Sequence, residues 1–148
     1  MIAVIQRCKN ASVEINGKTH NEIGTGLLVL LGIKKGDNES NIHKLSQKIL
    51  DLRIFDDEKG VMNLSVKDIK GELLIISQFT LCADNVKSGN RPSYINAEVP
   101  EKSNPMYQYF LKYTKENYLE DKIKDGVFGA DMQVKLTNDG PVSIILDK

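Results

Sequence analysis

Two stretches of the chain are apolar at nearly every position, and the rest of the pattern is arranged around them. Leu27-Leu28-Val29-Leu30-Leu31-Gly32-Ile33 and Leu73-Leu74-Ile75-Ile76 show no polar alternation, which predicts strands buried on both faces. Residues 2–8 are also apolar and β-branched, with Gln6 and Arg7 as polar exceptions. They predict a further strand, in which Arg7 needs a partner because an unpaired buried guanidinium is very costly. Ala11-Ser12-Val13-Glu14-Ile15 alternates as a half-exposed strand does. Asn16-Gly17 then signals a type I′ hairpin, with residues 18–23 as its return strand.

After the apolar run at 27–33, Lys34-Lys35-Gly36-Asp37-Asn38 breaks the pattern, and Asp37 or Asn38 can cap a helix carrying Glu39 in its first turn. Ile42, Leu45, Ile49 and Leu52 give that helix one apolar stripe, so it covers a sheet. Arg53-Ile54-Phe55, the charged turn at 56–60 and residues 61–66 read as a hairpin. The charged turn lacks the alternating ligands and distal Glu of a calcium loop. Residues 82–104 have no periodicity, and Lys87, Ser88, Gly89, Asn90, Arg91, Pro92 and Ser93 there suit a phosphate backbone as well as a solvated loop.

Asn104-Pro105 predicts the start of a second helix, with Met106, Phe110 and Tyr113 as its buried stripe and Tyr107, Tyr109 and Tyr118 on other faces. Residues 122–128, 131–136 and 144–146 return to strand patterns, and Gly140-Pro141 interrupts what would otherwise be a hairpin of two strands. Two helices and eight or nine strands make this an α/β chain. The expected fold is layered antiparallel or mixed β-sheets with helices on one side, in a single domain over residues 1–148.

Charge and cysteine content narrow the classes. Twenty Lys and Arg cancel twenty Asp and Glu, which argues against a general DNA-coating protein but leaves room for a local patch gripping the end of one RNA. Cys8 and Cys82 have no metal-ligand spacing and predict a reducing compartment without a disulfide framework, Cys8 being a small core residue. No stretch is apolar for long enough to span a bilayer, and no charged n-region precedes an apolar h-region, so a cytoplasmic location without membrane contact is expected.

The chemistry is more cryptic. The chain has no metal cluster, P-loop, dinucleotide fingerprint or Gly-x-Ser-x-Gly elbow, so neither metal nor cofactor is expected. His20 and His43 are the only histidines; His20 sits in a polar hairpin strand and His43 next to Ile42 on the covering helix, facing outward, so neither is expected as a catalytic base. The apolar run at 73–76 instead ends in Ser77-Gln78-Phe79-Thr80-Leu81. Continued as a strand, it places Ser77 and Phe79 on one face and Gln78 and Thr80 on the other. These groups either line a pocket or satisfy neighbouring backbone at a strand end. In a hydrolase of this kind the work falls to backbone amides, positioning and the substrate's own groups.

On Ser77-Gln78-Phe79-Thr80-Leu81 and Asn138-Asp139-Gly140-Pro141-Val142 the chain closely resembles the D-aminoacyl-tRNA deacylases of the bacterial and eukaryotic type. Ala3-Val4-Ile5-Gln6-Arg7, Leu52-Arg53-Ile54-Phe55, Met62-Asn63-Leu64-Ser65, Arg91-Pro92-Ser93 and the segment at 128–134 extend the likeness from end to end. Ser143 stands where the family usually has Thr, and residues 85–90 also vary. The resemblance implies a barrel-like fold of layered sheets with helices on one face, working as a homodimer with its sites at the interface. It implies a cis Gly140-Pro141 inserted into the partner's site, and a lining of Ser77, Gln78, Phe79 and Thr80. Arg7 would brace the Gly-Pro loop through backbone carbonyls and Asn138 would belong to the same loop. Phe128 and Met132 would receive the terminal adenosine. The implied reaction is hydrolysis of the ester joining a D-amino acid, or glycine, to the terminal ribose of tRNA, with L-aminoacyl esters rejected. Two other classes compete: a non-enzymatic nucleic-acid-binding protein, since related eukaryotic proteins are linked to DNA replication, and a Ser/Thr esterase using Ser77 or Thr80.

Overall fold

The computed structural model describes residues 1–84 and 90–148; Lys87, Ser88 and Gly89 lie outside the described residues. The elements run β1 (Ile2–Ile15), β2 (Lys18–Ile23), β3 (Gly26–Gly32), α1 (Glu39–Leu50), β4 (Phe55–Asp56), β5 (Met62–Leu64), β6 (Glu72–Ser77), α2 (Pro100–Glu116), β7 (Ile123–Asp125) and β8 (Gln133–Asp147). The main sheet is ordered β2-β1-β3-β6-β7, with β8 on the other side of β1. β1 pairs antiparallel with β2, β3 and β8, whereas β3–β6 and β6–β7 are parallel. Asn21 Nδ2 donates to the Asp125 carbonyl at 2.7 Å and ties β2 to β7, so the sheet is nearly closed into a barrel.

The two wholly apolar runs are β3 and β6, and both of their faces are covered, for different reasons. Leu27, Val29, Leu31, Leu73 and Ile75 face a core shared with Ile42, Leu45 and Ile49 of α1 and Tyr107, Phe110 and Leu111 of α2. Leu28, Leu74 and Ile76 face a second core with Cys8, Ala11, Val13 and Ile23. The second cover exists because residues 2–15 form one strand rather than two. The first half of β1 pairs with β3 and the second half with β2, so the strand curls over the face that the helices leave open. β8 follows it as one strand too, with the Gly140-Pro141 segment carried as an interruption in the β1 register rather than as the turn of a hairpin.

α1 begins as the pattern predicts, with the Asn38 side chain accepting from Ser40 N–H and Asn41 reaching back to the Asn38 N–H in a reciprocal cap. α2 begins at Pro100, not at Asn104-Pro105, and Pro105 lies inside it. Pro100 meets the first-position preference as well as Pro105 does, and the stripe that packs inward is not the expected one. Ser103, Tyr107, Phe110, Leu111 and Thr114 are buried, while Met106 and Tyr113 are half-buried at the margin. Tyr107 is fully buried because its hydroxyl finds the Ile75 carbonyl at 2.8 Å, which lets an aromatic with a polar tip sit where an unpaired hydroxyl would be costly. That bond anchors α2 to β6 just before the polar end of the strand. Among the described residues no helix is long and apolar enough to cross a membrane.

Candidate active site

β6 ends at Ser77. Gln78 is non-helical, and Phe79–Cys82 form a single 3-10 turn, so the strand alternation expected through Leu81 stops one residue after the strand. The turn lies against the end of β3 at Gly32, where a Cβ would come 2.9 Å from Ile2 Cγ2, 3.1 Å from Cys82 Sγ and 3.1 Å from the Gln78 carbonyl. Only a glycine permits that close approach. Gln78 N–H donates to the Leu31 carbonyl at 2.7 Å, which holds the turn to the sheet. The outcome for the motif is a sharp sorting of side chains. Cys82 is buried, with its thiol pushed up by desolvation. Phe79 is 58 % exposed. The Thr80 hydroxyl is bonded by the Gln78 side-chain amide.

Ser77, Gln78 and Phe79 line a cavity of about 670 Å³, together with Tyr94, Val99, Ser103, Phe128 and Met132. Phe79 meets Tyr94 edge-on at 5.0 Å. Phe128 leans on Tyr107 at 5.9 Å, so its wall of the cavity is fixed by the core. Tyr94, Val99 and Ser103 carry no periodic signal in the sequence. They reach the cavity because Lys35 N–H and Glu98 N–H bond to the Asn96 and Ile33 carbonyls and lay the segment along the end of β3. Thr80 sits one residue beyond the lining. No imidazole or carboxylate bonds its hydroxyl among the described residues. His43 is instead stacked on Tyr113 at 4.2 Å and bonded to the Tyr109 hydroxyl at 2.9 Å, and His20 is exposed on β2. No group of His, Cys, Asp and Glu among the described residues is placed to hold a metal ion.

A second cluster is built where β8 breaks its register with β1. Gln6 faces Ser143 and Cys8 faces Asn138, so Arg7 alone stands opposite Asp139, Gly140, Pro141 and Val142. The surplus residues leave the ladder as a loop, and the Gly140-Pro141 peptide bond at its tip is cis. Both tip residues are exposed. Arg7 fills the space beneath: its Nε donates to the Asp139 carbonyl at 2.9 Å, and Nη1 donates to the Ile54 carbonyl at 2.7 Å and to Asp56 Oδ1 at 3.3 Å. This is the partnering that a buried Arg7 requires, and it fixes the loop to both β1 and the start of β4. Across the loop's neck, Asn138 Oδ1 accepts from Val142 N–H at 3.0 Å while its Nδ2 donates to Ser143 Oγ at 3.1 Å.

The two clusters are far apart on one chain. Ser77 aligns through Leu31 with Ala3, whereas the loop sits over Arg7 and three strands away. Four residues along the strands and three strand spacings across give a separation of roughly 20 Å. Between them lies an apolar row that runs from the second core at Ile76 out to solvent at Ile145, with Leu30 and Val4 half-buried. Ile145, Val4, Leu30 and Ile76 are successive partners on four strands, and Ile145 is 69 % exposed.

Comparison with known proteins agrees with this architecture. A family model described as D-Tyr-tRNA(Tyr) deacylase matches residues 4–147. A D-aminoacyl-tRNA deacylase of Cytophaga hutchinsonii is 57% identical over 147 residues, covering 99% of this chain and 97% of that protein. A solved structure titled c-Myc DNA Unwinding Element Binding Protein superposes with a TM-score of 0.95 at 43% identity, covering 100% of this chain and 99% of the other. A second, a probable eukaryotic D-amino acid tRNA deacylase, shares the fold at a TM-score of 0.82 and 13% identity, over 99% of this chain and 98% of that one. With its full-length match to the family model and more than half its residues shared with a curated member, the chain belongs to the D-Tyr-tRNA(Tyr) deacylase family.

Proposed function

We propose that this protein hydrolyses the ester between a D-amino acid and the terminal ribose of tRNA, in a site completed by a second copy of the chain. The observation that carries the reading is the split between the two clusters. Gly140-Pro141 stands exposed on a braced loop, roughly 20 Å from the cavity at Ser77-Gln78-Phe79. One chain cannot bring them together, but two can exchange them across the apolar row of Val4, Leu30 and Ile145. The loop of one subunit then closes the cavity of the other.

In this arrangement chirality is selected by exclusion. Main chain at the loop tip holds the α-ammonium and occupies the space an L side chain would need. Glycine has no side chain to exclude, so a glycyl ester is accepted as well. Phe128 and Met132 receive the terminal adenosine, whose base stacks on aromatic surface. Phe79 and Thr80 open a helical turn, and the first N–H groups of such a turn have no acceptor within it. They are the donors that stabilise the oxyanion when water attacks the ester carbonyl. The neighbouring ribose hydroxyl assists that water. Thr80 acts through its backbone, because its hydroxyl is bonded by an amide donor that cannot take a proton.

The test is release of amino acid from matched D- and L-tyrosyl-tRNA, with the subunit mass measured in the same buffer. Selective release of D-tyrosine by a dimer supports the reading. Equal release of both, or full activity of a single subunit, overturns it. Thr80→Ala separates the chemistry: activity survives if the amides act and disappears if the hydroxyl is the nucleophile. A serine-reactive phosphonate should likewise leave the protein unlabelled. The solved relative named for binding a DNA unwinding element motivates a duplex-DNA titration. With balanced charge over the whole chain, this protein is expected to bind duplex weakly at physiological salt.

A further inference from the structure

We infer that Gln6 and Ser143 are positioning residues that set the height and angle of the Gly140-Pro141 tip, and so the stringency of D over L selection. This inference rests on the deacylase reading above and goes further, since neither residue touches the tip itself.

Gln6 and Ser143 are the last β1–β8 partners before the loop leaves the ladder, and Cys8 and Asn138 are the first to resume it. The four loop residues therefore emerge from a neck whose β8 sides are Asn138 and Ser143. Arg7 braces only one limb of the loop, through the Asp139 carbonyl. The other limb, Val142-Ser143, is held by a different set of bonds. Val142 N–H bonds Asn138 Oδ1, Asn138 Nδ2 bonds Ser143 Oγ, and Gln6 Nε2 bonds the same Ser143 oxygen at 3.3 Å. Asn138 spans the neck, and the Ser143 hydroxyl is the node that links this span to β1.

The orientation of the Asn138 amide follows from its own bonds. Its oxygen must face the Val142 N–H, which leaves its nitrogen to face Ser143. A serine oxygen can accept from two donors at once, so the Asn138 and Gln6 amides can both be served by one hydroxyl. An alanine at 143 would remove the node and leave both amides without their partner. A threonine would keep it. Gln6, Asn138 and Ser143 contribute to neither apolar core, and Val142, which packs against the first, joins the network only through its backbone N–H, so losing the side-chain bonds should loosen the tip without unfolding the sheet. A filter that works by filling space is sensitive to small displacements of the wall.

Ser143→Ala, Ser143→Thr and Gln6→Met are compared with the unaltered protein in single-turnover deacylation of D- and L-tyrosyl-tRNA, alongside thermal unfolding and subunit mass. Ser143→Ala and Gln6→Met are each expected to lower the D-to-L rate ratio about three- to tenfold, the worth of one neutral hydrogen bond. Most of that change should come from faster L release, and Ser143→Thr should restore the ratio. A lowered melting temperature with an unchanged ratio would assign the network to stability alone and overturn the inference. If Ser143→Ala does not fold, Gln6→Met decides, since it acts from the other strand and keeps side-chain length. Equal D and L release by the unaltered protein would instead overturn the deacylase reading on which this rests.

Discussion

Gly140→Ala puts the greatest load on the proposed filter for the smallest chemical change. Gly140 has φ +132, and a Cβ there would lie 2.7 Å from Val142 Cγ2, 3.0 Å from Val142 N and 3.2 Å from Arg7 Nη2. The backbone conformation alone costs an L residue about 1–3 kcal/mol. Nor can the clash be relieved cheaply, because a β-branched valine has little χ1 freedom and Arg7 is held by bonds to Ile54, Asp56 and Asp139. The loop must therefore shift as a whole. Its tip is exposed and carries no core residue, so the stability loss should stay near the backbone cost. For a chain of this size that corresponds to a fall of about 3–10 °C in melting temperature. Activity should suffer more: a displacement near 1 Å in a positioning element costs about 10- to 100-fold in rate. Single-turnover release from D-tyrosyl-tRNA, measured well below the melting temperature, separates the two effects. A variant that melts early but keeps both the rate and the preference for D would refute the claim that this loop forms the wall of the site.

Two further outcomes follow from other parts of the molecule. Phe79→Ala should leave the melting temperature within about 2 °C, because Phe79 is 58 % exposed and its ring meets Tyr94 edge-on; it should still raise KM for D-tyrosyl-tRNA, and an unchanged KM would remove the ring from the site. Glu72 is held below its usual value of 4.5, first by the Gly24 N–H at 2.6 Å and then, against a smaller cost of burial, by Lys122. A depressed carboxyl contributes stability that is fully present above pH 4.5 and is lost as pH falls through its lower folded value. The melting-temperature gap between the unaltered protein and Glu72→Gln should therefore close on acidification, and a gap that widens would show that the sign is wrong.

Local pattern carried much of this protein in plain view. The buried character of β3 and β6 is written in runs with no polar alternation, and the α1 cap in Asn38 and its neighbours, because such features depend on residues a few positions apart. Pattern alone puts polar groups at the end of β6 without choosing between a pocket lining and backbone satisfaction, and a role for them and for Gly140-Pro141 comes only from likeness to a known family, since neither has a base, a metal set or a phosphate loop to announce it.

What the chain's own pattern left open was decided by long-range pairing. Residues 2–15 and 133–147 are single strands because each curls around the other, and nothing local distinguishes that from two shorter hairpins. α2 buries Tyr107 because its hydroxyl finds the Ile75 carbonyl across the core, a partner 32 positions away. The strand at Ser77 yields to a turn because Gly32 lets it dock. Arg7 lies under the Gly-Pro loop because one β1 residue opposes four of β8, a mismatch that exists only once the register is set. Sequence determines which residues must be buried or capped. Tertiary structure determines which of them meet, because a contact between distant residues is specified by the sum of all pairings and by no single segment.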